Sequence, residues 1–101
     1  MLELRPTCEH CNKALPAAST EAMICSFECT FCRDCVELLG NVCPNCGGGF
    51  APRPVRPPRD WKNGNDVAHH PPSTRVVHKP VNVHAHADWA AKVNDIAPAE
   101  R

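Results

Sequence analysis

The stretch Cys25-Ser26-Phe27-Glu28-Cys29-Thr30-Phe31-Cys32-Arg33-Asp34-Cys35-Val36 decides how this chain folds. It packs four cysteines into eleven positions, as Cys25-x3-Cys29 followed by Cys32-x2-Cys35. Working outward, Cys8-x2-Cys11 lies upstream and Cys43-x2-Cys46 downstream, and the other residues of the chain include no further cysteine. Four close pairs supply the eight sulfurs that two tetrahedral thiolate sites need. A two-residue spacer lets the backbone turn in a tight knuckle, with amide N–H groups aimed at the sulfurs. Glycine after the second cysteine eases that turn, as in Cys46-Gly47-Gly48. Cys32 and Cys35 fall where a helix should begin, and a helix N-terminus stabilises thiolate.

Size supports the same reading. A domain of about 50 residues buries too little apolar surface to offset its chain entropy comfortably and usually relies on cross-links. A structural zinc contributes roughly 10–16 kcal/mol of apparent binding free energy, which becomes folding free energy. Disulfides are the competing use of eight cysteines and require an oxidising compartment. The N-terminus Met1-Leu2-Glu3-Leu4-Arg5-Pro6 has no apolar run or cleavage pattern of a signal peptide. No stretch has the length of a membrane span. A cytoplasmic location is therefore expected, where thiolates bind metal. Two Zn2+ per chain are the expected cofactors, with iron the chemical rival at four-cysteine sites.

Charge divides along the chain. Residues 1–50 carry three cations against six anions, and residues 51–101 carry eight cations against five anions. Each four-thiolate zinc site adds a formal charge of about −2, so the loaded head is acidic, which argues against the head gripping phosphates.

Three segments follow from composition. Residues 1–50 form the two-zinc domain, 51–62 a proline- and arginine-rich linker, and 63–101 a mostly disordered tail. In the linker, Arg53, Arg56, Arg59 and Lys62 recur every three residues. A polyproline II helix would set them along one edge, as a spacer or as a weak basic strip for nucleic acid. In the tail, Trp89, Val93 and Ile96 stand at helical spacing before Pro98, giving a short helix over 86–97. Within the head, Ala22–Phe27 is strand-prone and the segment to Phe31 can pair back on it. Asp34–Leu39 suits a short helix that Gly40-Asn41 stops. The fold class is a small α+β zinc-stabilised domain with a short hairpin and one short helix.

Spacing alone leaves three ways to divide four pairs between two ions: sequential, nested or interleaved. The order of pairs resembles an all-cysteine RING finger, a treble-clef-like cross-brace. Cys29-Thr30-Phe31-Cys32-Arg33-Asp34-Cys35-Val36 resembles its central segment and Cys43-Pro44-Asn45-Cys46 its closing pair. The resemblance implies interleaved sites, with Cys8, Cys11, Cys32 and Cys35 on one ion and Cys25, Cys29, Cys43 and Cys46 on the other. It also implies that Phe31 enters the core between them. The head, over about its first 58 residues, further resembles the short bacterial proteins known as domain of unknown function 1272, which implies a bacterial origin and brings no activity with it. RING ligases usually place an aliphatic residue before the second ligand and often a cation after the eighth. Here those positions are His10 and Gly47, and Pro44 alone matches the surface that contacts a conjugating enzyme.

The functional expectation is a non-enzymatic, zinc-dependent protein-interaction module with an unidentified protein partner. A redox- or metal-responsive zinc switch, a nucleic-acid accessory protein and a ligase-like activity are the alternatives. His10, between two ligands, is expected to be solvent-exposed. His69, His70, His78, His84 and His86 are expected as solubilising tail residues, and Glu9, Glu28 and Asp34 as solvated carboxylates.

Overall fold

The structure is a computed structural model that describes residues 1–101. Its centre is a three-stranded antiparallel sheet in the order β2-β1-β3, built from β1 (Ala22–Ile24), β2 (Thr30–Cys32) and β3 (Ala51–Pro52). The hairpin pairs Ala22 with Cys32, Met23 with Phe31 and Ile24 with Thr30, so its loop holds the Cys25-x3-Cys29 pair. β3 lies on the other side of β1, with Met23 opposite Pro52. Proline is tolerated there because β3 is an edge strand, and Arg53 N–H resumes the pairing by donating to Ala22 C=O at 2.9 Å.

Helix α1 (Arg33–Leu38) starts directly from β2, with Cys32 as its extended N-cap. Its end is a Schellman turn. Gly40 N–H donates to Glu37 C=O and Asn41 N–H to Val36 C=O, both at 3.0 Å. Gly40 has φ +64°, which glycine adopts without steric penalty. The short helix and its Gly40-Asn41 stop therefore form where the sequence places them, shifted by one residue. Leu4, Leu15, Phe31, Leu39 and Val42 fill the core, and Phe31 meets Phe50 edge-on at 5.3 Å. Five of the thirteen buried apolar residues are cysteines, so a large share of the interior consists of thiols.

The second half of the chain departs from expectation. Residues 63–101 are laid along the head rather than left disordered. Ser73 N–H donates to Leu4 C=O (3.0 Å) and Lys79 N–H to Glu9 C=O (2.8 Å). Arg75 grips the Glu3 carboxylate through Nη2 (2.7 Å) and Nε (3.0 Å). Helix α2 spans Val83–Ala90, not 86–97. It starts earlier because Asn82 caps it, its Oδ1 accepting from Ala85 N–H at 3.1 Å. Residues 91–95 continue as turns. Buried His86 fixes α2 on the head, its Nε2 bonding Leu39 C=O at the end of α1 (3.0 Å). The terminal Arg101 then reaches Asn41 C=O (2.8 Å) and Gly47 C=O (3.2 Å).

The linker is also corrected. Arg53 is only 4% exposed and Arg56 is half-buried, so no four-residue basic edge forms, although Arg59 and Lys62 are exposed. Arg53 donates to the carbonyls of Arg5 (2.8 Å), Leu15 (3.2 Å) and Pro16 (3.1 Å). Arg56 donates to those of His70 (2.7 Å) and Leu2 (2.9 Å). These carbonyls sit in loops with no sheet partner, and a guanidinium fork satisfies several at once.

Candidate metal centre

Each cysteine pair occupies a backbone turn built for it. At the first knuckle, Cys8 N–H donates to Lys13 C=O (2.9 Å) and Asn12 N–H to Cys8 C=O (3.0 Å), with Asn12 left-handed at φ +62°. At the last, Gly47 N–H donates to Cys43 C=O (2.8 Å), and Gly47 at φ +80° lets Gly48 N–H reach Cys46 Sγ at 3.4 Å. In the hairpin loop, Phe27 N–H reaches Cys25 Sγ at 3.3 Å. Cys32 ends β2 and Cys35 lies in the first turn of α1, so one β–α junction presents both sulfurs to one side.

The eight sulfurs fall into two groups. The Sγ atoms of Cys8, Cys11, Cys32 and Cys35 all lie within 4.8 Å of one another, and so do those of Cys25, Cys43 and Cys46. Cys29 stands at the edge of the second group, where its thiol meets that of Cys25 and accepts from Asn45 Nδ2 at 3.4 Å. All eight are free thiols, and Cys11 Sγ lies 3.8 Å from Cys32 Sγ. That separation far exceeds a disulfide bond of about 2.05 Å. It matches the edge of a tetrahedron around an ion with sulfurs at about 2.3 Å, which is about 3.8 Å. The donor set and its spacing fit a tetrahedral, thiophilic ion such as zinc. One sulfur of each group, Cys11 and Cys46, is exposed.

The local electrostatics agree. Burial pushes the thiols of Cys35 and Cys43 far up, and those of Cys29 and Cys32 up as well. Burial also works against ionisation of Cys8, but the amides of Cys11, Cys32 and His10 turned toward its sulfur outweigh that and bring it below the ordinary thiol value. Without a cation most of these thiols keep their protons; a bound dication would displace them.

Two residues inside the first knuckle behave differently from the sequence expectation. Glu9 is not solvated: it is 1% exposed. Its Oε2 accepts from Thr30 N–H (2.9 Å) and Arg5 Nη1 (3.0 Å), and its Oε1 from Asn45 Nδ2 (3.2 Å). A carboxylate can be buried when donors and a cation surround it in this way. His10 is half-buried rather than exposed, and its Nδ1 accepts from Val81 N–H at 2.9 Å, anchoring the tail. Glu28 is half-buried and receives Glu3 N–H at 3.2 Å, whereas Asp34 is exposed. His69 and His70 lie far along the chain from the cysteines; His69 Nδ1 pairs with buried Asp66 at 2.7 Å. His78 bonds His10 C=O (3.2 Å), and His84 is exposed. None of the tail histidines joins either sulfur group. Glu9, Thr30 and Asn45 are the residues at the site that local sequence reading missed. The available signal was their position, each inside or between cysteine pairs.

No helix is long and apolar enough to cross a membrane. Among known proteins, an uncharacterized protein of Rhizobium meliloti (strain 1021) is 53% identical over 81 residues, covering 79% of this chain and 89% of its own length. That likeness necessarily runs beyond the head into the second half of the chain. No solved structure matches. The family model described as Protein of unknown function (DUF1272) matches residues 1–56, head and start of the arginine-rich segment together, and the chain belongs to that family.

Proposed function

We propose that the chain is a non-enzymatic protein-interaction module held in shape by two structural zinc ions in a RING-like cross-brace. Cys8, Cys11, Cys32 and Cys35 hold one ion, and Cys25, Cys29, Cys43 and Cys46 the other. The observation that carries this reading is the gathering of sulfurs from distant pairs into two groups, one of four and one of three with Cys29 at its edge. Four sulfurs complete the shell of a tetrahedral ion, which leaves no position for a water or substrate to be activated. Recognition then belongs to the surface. A groove of about 450 Å³ beside the last knuckle is lined by Phe27, Trp89, Val93, Ile96 and Pro98. Phe27 and Trp89 are 72% and 42% exposed and line this same groove, and it is such a shared apolar patch, rather than a single exposed side chain, that marks a docking surface. The acidic loaded head favours a basic protein segment with an apolar anchor.

The test has two parts. Elemental analysis of the full-length protein should give two zinc ions per chain, and its solution should be colourless, which separates zinc from iron. The zinc-loaded chain should then capture a protein that a Phe27→Ala/Trp89→Ala variant, still carrying two ions, does not. A reduced chain that keeps its fold after exhaustive chelation would overturn the proposal.

A second reading rests on the exposed sulfurs of Cys11 and Cys46. Peroxide would oxidise two zinc-bound thiolates to a disulfide and itself be reduced to two hydroxides, releasing the ion and loosening the head. Zinc release at mild peroxide supports the switch; full retention at high oxidant removes it.

A further inference from the structure

Glu9 is the one buried acid in the head, and it bonds residues that stand beside cysteines of both sulfur groups without belonging to either. It lies between Cys8 and Cys11 of the first group. One of its oxygens accepts from Thr30 N–H at 2.9 Å, and Thr30 lies between Cys29 of the second set and Cys32 of the first. Its other oxygen accepts at 3.2 Å from Asn45, which lies between Cys43 and Cys46 of the second. The same Asn45 amide also reaches Cys29 Sγ at 3.4 Å. Glu9 N–H closes a further link by donating to Thr30 C=O at 3.0 Å. Arg5 Nη1, at 3.0 Å from Oε2, supplies the positive charge that makes a buried carboxylate tolerable between two anionic centres.

From this geometry we infer that Glu9 is a positioning residue that couples the two metal sites, so that filling one prepares the other. The inference rests on the zinc reading above. An ion held by the Cys43–Cys46 knuckle fixes Asn45, and one held by Cys29 fixes the start of β2. Those two elements present the amide and the N–H that Glu9 accepts. Once seated, Glu9 sets the turn that aims Cys8 and Cys11. By linkage the effect is reciprocal: an ion in the first site must tighten the second by the same factor. The Glu9 end of this link is dry although Asn45 itself is exposed, so losing a partner leaves a desolvated carboxylate behind, which carries coupling better than apolar packing does.

Cadmium-113 NMR of the full-length protein resolves the two sites, and a chelator titration reads how tightly each holds its ion. In the natural protein both resonances should disappear over one chelator range. Asn45→Ala removes the crossing bond from the second knuckle, yet it should weaken cadmium retention at the first site, to which Asn45 does not belong, by about tenfold. Glu9→Gln keeps the shape but removes the negative charge beside Arg5 and sets an amide NH2 against either the Asn45 amide or Thr30 N–H, and should separate the two losses by a similar factor. Cys46→Ser weakens the second site directly, and the inference requires its effect on the first site to pass through Asn45 and Glu9, so it should lower cadmium retention at the first site in the natural background and not in the Asn45→Ala background. If Cys46→Ser weakens the first site equally in both backgrounds, the link runs through the fold at large and the inference is wrong. It is equally wrong if Asn45→Ala leaves the first site at its natural retention. Should Glu9→Gln fail to take up two ions, the Asn45→Ala and Cys46→Ser pair still decides. A protein that binds no cadmium at all would instead refute the proposed function.

Discussion

Replacing Arg53 with methionine should destabilise the zinc-loaded protein by about 3 kcal/mol, although the residue touches neither sulfur group. The guanidinium is 4% exposed and donates to three carbonyls, those of Arg5, Leu15 and Pro16. Hydrogen bonds to a charged group contribute about 1.5–3 kcal/mol each, so three set an upper bound near 5–9 kcal/mol. Two terms reduce it. The bonds to Arg5 and Pro16 are only partly buried, so water can replace the lost donor there. Arg53 also has no carboxylate within ion-pair distance, and burial pulls its guanidinium below the ordinary value, so removing it relieves a desolvated charge. What remains is mainly the orphaned Leu15 carbonyl and the lost tie between β3 and the loop preceding β1. The assay is urea unfolding followed by circular dichroism, with zinc content measured before and after so that metal loss is not mistaken for instability. With a slope of about 2 kcal/mol per molar urea, the midpoint should fall by about 1.5 M. Arg53→Lys should recover less than half of this, since an ammonium lacks the planar fork that spans three acceptors. An unchanged or raised midpoint in Arg53→Met would refute the reasoning, because the buried cation would then be a burden and not a clamp.

Two pH-linked expectations follow from the carboxylate and thiol environments. Metal uptake should release protons and strengthen as pH rises from 6 to 8, because the buried thiols of Cys35 and Cys43 are held above their ordinary value and must ionise to bind; calorimetry in buffers of differing ionisation enthalpy measures the proton count. Glu3 is held at about 2, chiefly by Arg75, then by Ser73 and Arg5. Its stabilising contribution is therefore complete above its unfolded value of 4.5 and is lost as pH falls through about 2. Acid also strips the metal, so this contribution is best read at neutral pH. There Glu3→Gln should cost less than about 1 kcal/mol, since the pair with Arg75 is solvent-screened, and should speed amide exchange at Ser73 and Arg75.

Cysteine spacing made the head legible because metal ligation is a local rule about knuckles and turns. The hairpin, α1 and its glycine stop follow from the same short-range signals. The tail was opaque for a physical reason. Its attachment depends on single polar contacts, such as Val81 N–H on His10, His86 on Leu39 C=O and Arg101 on Gly47 C=O, and these leave no periodic trace in composition. The arginine repeat of three is a true spacing but does not reveal where the side chains go, since loop carbonyls far along the chain claim Arg53 and Arg56. Glu9 looked like a solvated acid because its partners Thr30 and Asn45 are 21 and 36 residues away. The interleaved grouping of the sulfurs is what the RING resemblance implies, since spacing alone admits three arrangements.

The two outer margins of the small sheet have a shared consequence. On one, Pro52 faces outward with a nitrogen that carries no hydrogen; on the other, Glu9 already takes both the N–H and the C=O of Thr30. A foreign strand therefore finds no free ladder to zip onto, and neighbouring molecules cannot use this sheet as a template for stacking. Whatever docks on this protein must be told apart by its side chains, not by its backbone.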